Sequence, residues 1–160
     1  MTEAKACGPA DARRLLQDRV LPALERQAAL YDRLAGFGPR QDELIAEGDG
    51  DALLRLMSER QEIVDELVGV HEGLEDVRGN WQGFVEALGP DDRAALGERL
   101  DAVKALAGRV HDQDARTREQ LDGARDRVQG SMTSLGRGKG AMRAYAGGGS
   151  RLPMHQDREA

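Results

Sequence analysis

Residues 53–88 read LLRLMSERQEIVDELVGVHEGLEDVRGNWQGFVEAL, and the spacing of their apolar side chains decides the fold class. Alternating steps of three and four residues reach apolar side chains throughout, apart from one charged exception at Arg60. The positions are Leu53, Leu56, Arg60, Ile63, Leu67, Val70, Leu74, Val77, Trp81, Phe84 and Leu88. Because these steps average about 3.5 residues, the side chains form a narrow stripe that a helix buries by supercoiling around a partner helix. The pattern therefore predicts one long helix in a coiled coil.

The same pattern resumes after a short turn, which predicts an antiparallel partner helix. Gly89 can close a helix, and Pro90 is tolerated in the first turn of the next one. The resumed seam runs through Leu96, Leu100, Val103, Ala107, Val110, Asp114, Thr117, Leu121, Ala124, Val128, Ser131 and Leu135. Its apolar filling weakens after Val110, so we expect the second half of this helix to be poorly anchored within the chain.

An earlier segment predicts a third helix with a less regular seam. Pro22 and the stretch GFGP at residues 36–39 interrupt this segment. An internal proline removes a backbone hydrogen bond, so we expect a kink at one or both places. The stretch GDGD at residues 48–51 predicts the turn into the next helix, because glycine suits a helix end and aspartate caps a helix start.

Together these patterns predict an all-α fold, an elongated antiparallel three-helix coiled-coil bundle over residues 10–135. Its helices are expected at about residues 11–47, 51–88 and 91–135. Residues 136–160 contain too much glycine for a stable isolated helix, so we expect a mobile Gly-rich basic tail there. The basic side chains of this tail are Arg137, Lys139, Arg143, Arg151 and Arg158.

The composition excludes several classes of function. Among the 160 residues, aromatic side chains are 3% and charged ones 32%, which is typical of a thin buried seam and indicates no catalytic cavity. The net charge of −6 argues against nucleic acid as a partner, because phosphate binding needs a basic face. Cys7 is the only cysteine, and no run approaches the roughly 18 apolar residues that span a bilayer. We therefore expect a cytoplasmic protein without membrane insertion.

Candidate catalytic and ligand-binding motifs are weak. His71 followed by Glu72 is similar to a phosphoacceptor pair on a dimerisation helix, but a solvated histidine beside the seam is the favoured interpretation. Residues 136–140 lack the serine or threonine that a phosphate-binding loop needs. The histidines and Cys7 are too dispersed for a metal site. We predict no catalytic residue, no metal and no cofactor, and rank an enzymatic role lowest.

A set of apolar residues near the end of the chain is the main candidate for a binding surface. These residues fall at helical spacing and would share one face if the segment formed a helix on a partner. They are Val128, Met132, Leu135, Met142 and Tyr145. Methionine and tyrosine are suited to adaptable recognition. The alternative is that a few apolar residues in a disordered tail have no role.

Several of these segments resemble the FlgN-type flagellar export chaperones. The resemblance lies in QDELIAEGDGDAL at residues 41–53 and ERQEIVDEL at residues 59–67. It continues in Tyr145, followed by the glycines at 147–149. The similarity extends over most of the chain and is a similarity of pattern in helical sequence.

The resemblance implies a cytoplasmic chaperone of the flagellar type III export system. Such a chaperone holds hook-filament junction (hook-associated) proteins unassembled and delivers them to the export gate. It implies that Val128, Met132, Leu135 and Met142 bind the client and that Tyr145 contacts the gate protein FlhA.

A second function class remains open from the residues alone. A structural coiled-coil adaptor or dimerisation module would use the same seam to associate with a second copy. We expect a monomer or a weak homodimer for the chaperone and a stable oligomer for the adaptor.

Overall fold

The computed structural model describes the backbone of residues 7–149 and the side chains of residues 7–138. All secondary structure in residues 7–149 is helical, so the prediction of an all-α fold is confirmed for this part of the chain. The chain divides into two compact units, the first ending at Thr117 and the second beginning at Arg118.

The first arm consists of three α-helices and one π-helical turn. Helix α1 spans Pro9–Leu15, the π-helical turn spans Leu16–Val20, α2 spans Leu21–Gly36 and α3 spans Gly38–Glu47. The wider π-helical turn ends two residues before Pro22, whose ring would collide with the carbonyl group four residues earlier in a regular helix. The second irregularity, at Phe37, precedes Pro39. Both lie where the prolines predict a kink.

The second arm differs from the predicted continuous helix at 51–88. Helix α4 spans Gly50–Glu72, α5 spans Glu75–Gly79 and α6 spans Trp81–Ala87. Leu74 and Asn80 leave the helical conformation, with φ and ψ of −108° and 8° and of −130° and 42°. The prediction of one unbroken helix was therefore wrong. Both residues follow a glycine, which is a poor helix former. The seam phase survives the breaks, because Val77, Phe84 and Leu88 are buried.

The third arm is a single helix, α7, which spans Pro90–Gly149. It begins at the predicted proline and continues beyond Leu135, where the predicted helix ends. Interior glycines such as Gly136 and Gly138 each cost about 1 kcal/mol relative to alanine, which weakens a helix without ending it. The remaining tail residues, 150–160, lie outside the described residues.

Two apolar clusters hold the first unit together. The first joins the start of the first arm to α5, α6 and the start of α7, through Ala12, Leu16, Val20, Leu24, Val77, Phe84, Leu88 and Leu96. The second joins α2, α4 and α7, through Leu30, Leu34, Ile63, Leu67 and Val110. Buried Gln27 lies between the two clusters in the sequence of the first arm, and its Nε2 is 3.4 Å from His71 Nδ1. A buried polar residue therefore separates the two apolar clusters along the first arm.

The order of the ion pairs gives the directions of the arms within the first unit. Arg19 pairs with Asp76, and Arg26 further along pairs with Glu66, so the first and second arms run in opposite directions. Arg13 pairs with Asp92, and Glu25 further along the first arm pairs with Arg99 further along the third, so these two arms run in the same direction. A continuous three-helix coiled coil stays a prediction, because the first two arms are interrupted.

Candidate functional site

Most of the exposed large apolar side chains of the described residues lie on α7 in the second unit. The exposed fractions are 44% for Leu121, 55% for Val128, 67% for Met132 and 66% for Leu135. We call these four residues the α7 stripe. Isolated exposed apolar side chains are ordinary, whereas a periodic set on one helix face is typical of an interaction surface.

The helix geometry brings the α7 stripe onto one face. Leu121, Val128 and Leu135 are seven residues apart, which returns nearly to the same direction after two helical turns. Met132 follows Val128 by four residues and therefore lies beside it. Ala124 and Ser131 alternate with the large residues, so the face has small side chains between large ones.

Three of the predicted client-binding residues, Val128, Met132 and Leu135, meet on this exposed face. The fourth, Met142, and the predicted gate contact, Tyr145, lie in the helical backbone of α7, but their side chains lie outside the described ones. Leu121 was absent from the predicted site. Its position seven residues before Val128 in the resumed seam is the signal that could have found it.

Within the first unit, the seam of α7 is covered as far as Thr117. The sequence predicted that this seam would weaken after Val110, so the covered part is longer than predicted. Arg60 Nη2 lies 2.5 Å from Asp114 Oδ1, so the charged exceptions of the two seams form an ion pair. Thr117 is only 6% exposed and accepts a hydrogen bond of 3.4 Å from Gln113 Nε2. Exposed apolar seam residues begin at Leu121.

A groove of about 350 Å³ in the first unit is the second feature that could bind a ligand. It is mainly apolar and lined by Val20, Leu24, Gln27, His71, Leu74, Arg78, Trp81 and Leu100. The break in the second arm shapes it, because Leu74 and Trp81 lie at the ends of the short helix α5. His71 is exposed, in agreement with a solvated histidine.

An ion pair fixes this break. Arg19 donates hydrogen bonds to both carboxylate oxygens of Asp76, at 2.8 and 2.9 Å, and to the carbonyl oxygen of Gly73 at 2.6 Å. The guanidinium group thus satisfies a carbonyl at the end of α4. The hydrogen bonds from Arg19 hold the pKa of Asp76 below its ordinary value, and those to Asp76 raise the pKa of Arg19.

No cluster of histidine, cysteine, aspartate and glutamate in the described part of the chain has the arrangement of a metal site. Within residues 7–149, no helix combines the length and apolar character needed to cross a membrane. Comparison of the chain with protein-family models, with curated proteins and with solved structures gives no match. The α7 stripe and the groove of the first unit are the two candidate sites among the described residues.

Proposed function

We propose that this chain is a cytoplasmic, non-catalytic export chaperone for the flagellar type III system. Its α7 stripe would bind a hook-filament junction protein, prevent premature assembly and keep the protein available to the export gate. The observation that carries the proposal is the run of exposed apolar side chains from Leu121 to Leu135. The resemblance of residues 41–53 and 59–67 to FlgN-type chaperones supplies the class of client.

The first unit serves in this proposal as a scaffold, an antiparallel three-helix coiled coil that includes the first part of α7. Its two apolar clusters and the Arg60–Asp114 pair support such a role, because they fix the register of the arms. Tyr145, on the same helix, would contact FlhA once the client is held.

The size of the α7 stripe suits reversible capture. Complete burial of one leucine, valine or methionine side chain contributes about 1.5–3 kcal/mol, and the stripe residues are already partly covered. Four such residues contribute on the order of 4–6 kcal/mol, which is comparable with the cost of association, about 4–15 kcal/mol. Additional contacts, for which Met142 is the nearest candidate, are needed for stable binding. A client held in this way can be released at the gate.

The test is co-purification of the full chain with hook-filament junction proteins. The double variant Val128→Asp and Leu135→Asp is expected to lose capture, since it places two charges within the apolar contact. Leu54→Asp is the matched control, because Leu54 is 68% exposed but lies on α4 in the first unit. Capture by the double variant equal to that of the native chain would contradict the proposal.

A coiled-coil adaptor that dimerises is the second candidate, because a second copy would also bury the α7 stripe. Light scattering of the purified chain at micromolar concentration separates the two. A stable dimer that the double variant abolishes, together with no capture of junction proteins, would favour the adaptor.

A further inference from the structure

The charges beside the α7 stripe have a uniform sign. Residues three or four positions away are neighbours on a helix surface. Arg118 and Arg125 are such neighbours of Leu121, and Arg127 is such a neighbour of Ala124 and Ser131. All three arginines are exposed. Arg118 and Arg125 therefore lie along one edge of the face that the stripe forms with Ala124 and Ser131, and Arg127 lies along the other edge.

The acids of the same segment lie outside the positions that flank the stripe. Glu119, Asp122 and Asp126 are the acidic residues between Arg118 and Gly138. None is three or four positions from Leu121, Val128 or Leu135. At about 100° per residue, Glu119 and Asp126 are directed away from the stripe, and Asp122 lies about 100° from Leu121. The arginines thus flank the face of the stripe and the acids do not, although Asp122 lies four positions from Arg118 and three from Arg125.

These arginines are also without ionic partners in the described part of the chain. The ion pairs among its side chains involve Arg13, Arg19, Arg26, Arg40, Arg60 and Arg99. Arg118, Arg125 and Arg127 form none of them. In a coiled coil, charges that flank the seam choose the partner helix.

We propose that the partner of the α7 stripe is an amphipathic helix whose flanking positions are acidic. This inference rests on the proposed function and names the chemistry of the client segment. Large apolar side chains of the partner would pack opposite Ala124 and Ser131, and its glutamates or aspartates would meet Arg118, Arg125 and Arg127. Burial supplies the affinity, and the charges select the partner.

The same arrangement disfavours a second copy of this chain. Self-association through the stripe would bring the partner's three flanking arginines to the interface and no flanking acid. Cations closer than the Debye length, about 10 Å at 0.1 M salt, repel one another. An acidic helix removes this repulsion and replaces it with attraction.

The test uses two designed peptides with leucine at both seam positions of each heptad. One peptide carries glutamate at every flanking position and the other carries lysine, so each is kept monomeric by its own charge. Binding of each labelled peptide to the full chain is measured by fluorescence anisotropy. The acidic peptide is expected to bind about tenfold more tightly at low salt, and the difference is expected to shrink as salt is added.

A charge-reversed chain provides the control. The triple variant Arg118→Glu, Arg125→Glu and Arg127→Glu changes only exposed side chains, and thermal melting checks that it is folded. It is expected to prefer the basic peptide. Equal binding of both peptides by the native chain, or an unchanged preference in the triple variant, would overturn the inference.

The outcomes also separate this inference from the proposed function. If the Val128→Asp and Leu135→Asp variant loses capture of junction proteins and the triple variant retains it, the charge selection alone is overturned. Selective binding of the acidic peptide without capture of any junction protein would support the charge selection and remove the proposed client.

Discussion

The Arg60–Asp114 pair gives the most direct prediction about how the first unit is held together. Asp114→Ala removes the carboxylate and leaves the guanidinium group of Arg60, whose side chain is only 15% exposed, without its ionic partner. Nε of Arg60 is already buried without a hydrogen-bond partner among the described residues. Removing one member of a fully buried pair costs about 3–5 kcal/mol, and an exposed pair contributes at most about 1 kcal/mol. Because the Asp114 side chain is 41% exposed, we expect a loss of about 2 kcal/mol.

Urea denaturation followed by circular dichroism measures this loss. Asp114→Asn keeps the shape of the side chain and removes its charge, so it should lose most of the same free energy. The double variant Arg60→Leu and Asp114→Leu replaces the pair with two seam leucines and is expected to recover native stability or exceed it. A stability of Asp114→Ala within about 0.5 kcal/mol of the native chain would refute the reasoning, as would a double variant less stable than the single one.

Three further predictions concern the first unit. Leu30→Ala, at a fully buried side chain, is expected to lower the free energy of unfolding by about 2–5 kcal/mol, whereas Leu54→Ala, at 68% exposure, should change it by less than about 1 kcal/mol in the same denaturation assay. Gly48 has φ of 71°, so Gly48→Ala is expected to cost about 1 kcal/mol, and an unchanged midpoint would contradict this. Because Asp76 has a lowered pKa, its pair with Arg19 stabilises the fold above the ordinary carboxyl pKa and loses this effect as pH falls through the lowered value. An NMR titration of Asp76 should show a midpoint that rises in Arg19→Ala.

The seam predicted the core better than it predicted the helices. Ile63, Leu67, Val77, Phe84 and Leu88 are buried where the steps of three and four place them. The breaks beside Gly73 and Gly79 escaped prediction, because glycine lowers helix propensity by only about 1 kcal/mol and the seam continues in phase through both sites.

The Arg60–Asp114 contact shows what a single-helix pattern leaves out. Each residue is an exception in its own seam, and only the register of two arms brings them together. Opposite charges at two seam exceptions would have been a usable signal. The spacing of α7 alone indicates a weak position at Asp114 and therefore places the start of the open seam too early.

The exposed apolar face of α7 was predictable in part, but its extent was not. Helical spacing identified Val128, Met132 and Leu135, which share an exposed face. The boundary at Thr117 depends on how far the first arm covers α7. There Gln113 Nε2 donates to Asp42 Oδ1 at 3.2 Å, and Gly38 lies so close to Gln113 that a Cβ atom would be 2.8 Å from it. Such packing between distant segments has no signature in the spacing of α7 alone.

Hydrogen exchange of the full chain, with and without a hook-filament junction protein, tests the central claim most directly. Gly123 and Gly130 lower the intrinsic helix propensity of α7 between Leu121 and Leu135, so the amides of this segment are expected to exchange rapidly in the free chain. Our account predicts that a bound client slows exchange from Leu121 to Leu135 and leaves the clusters of the first unit unchanged. Protection confined to the first unit, with unaltered exchange across the α7 stripe, would contradict it.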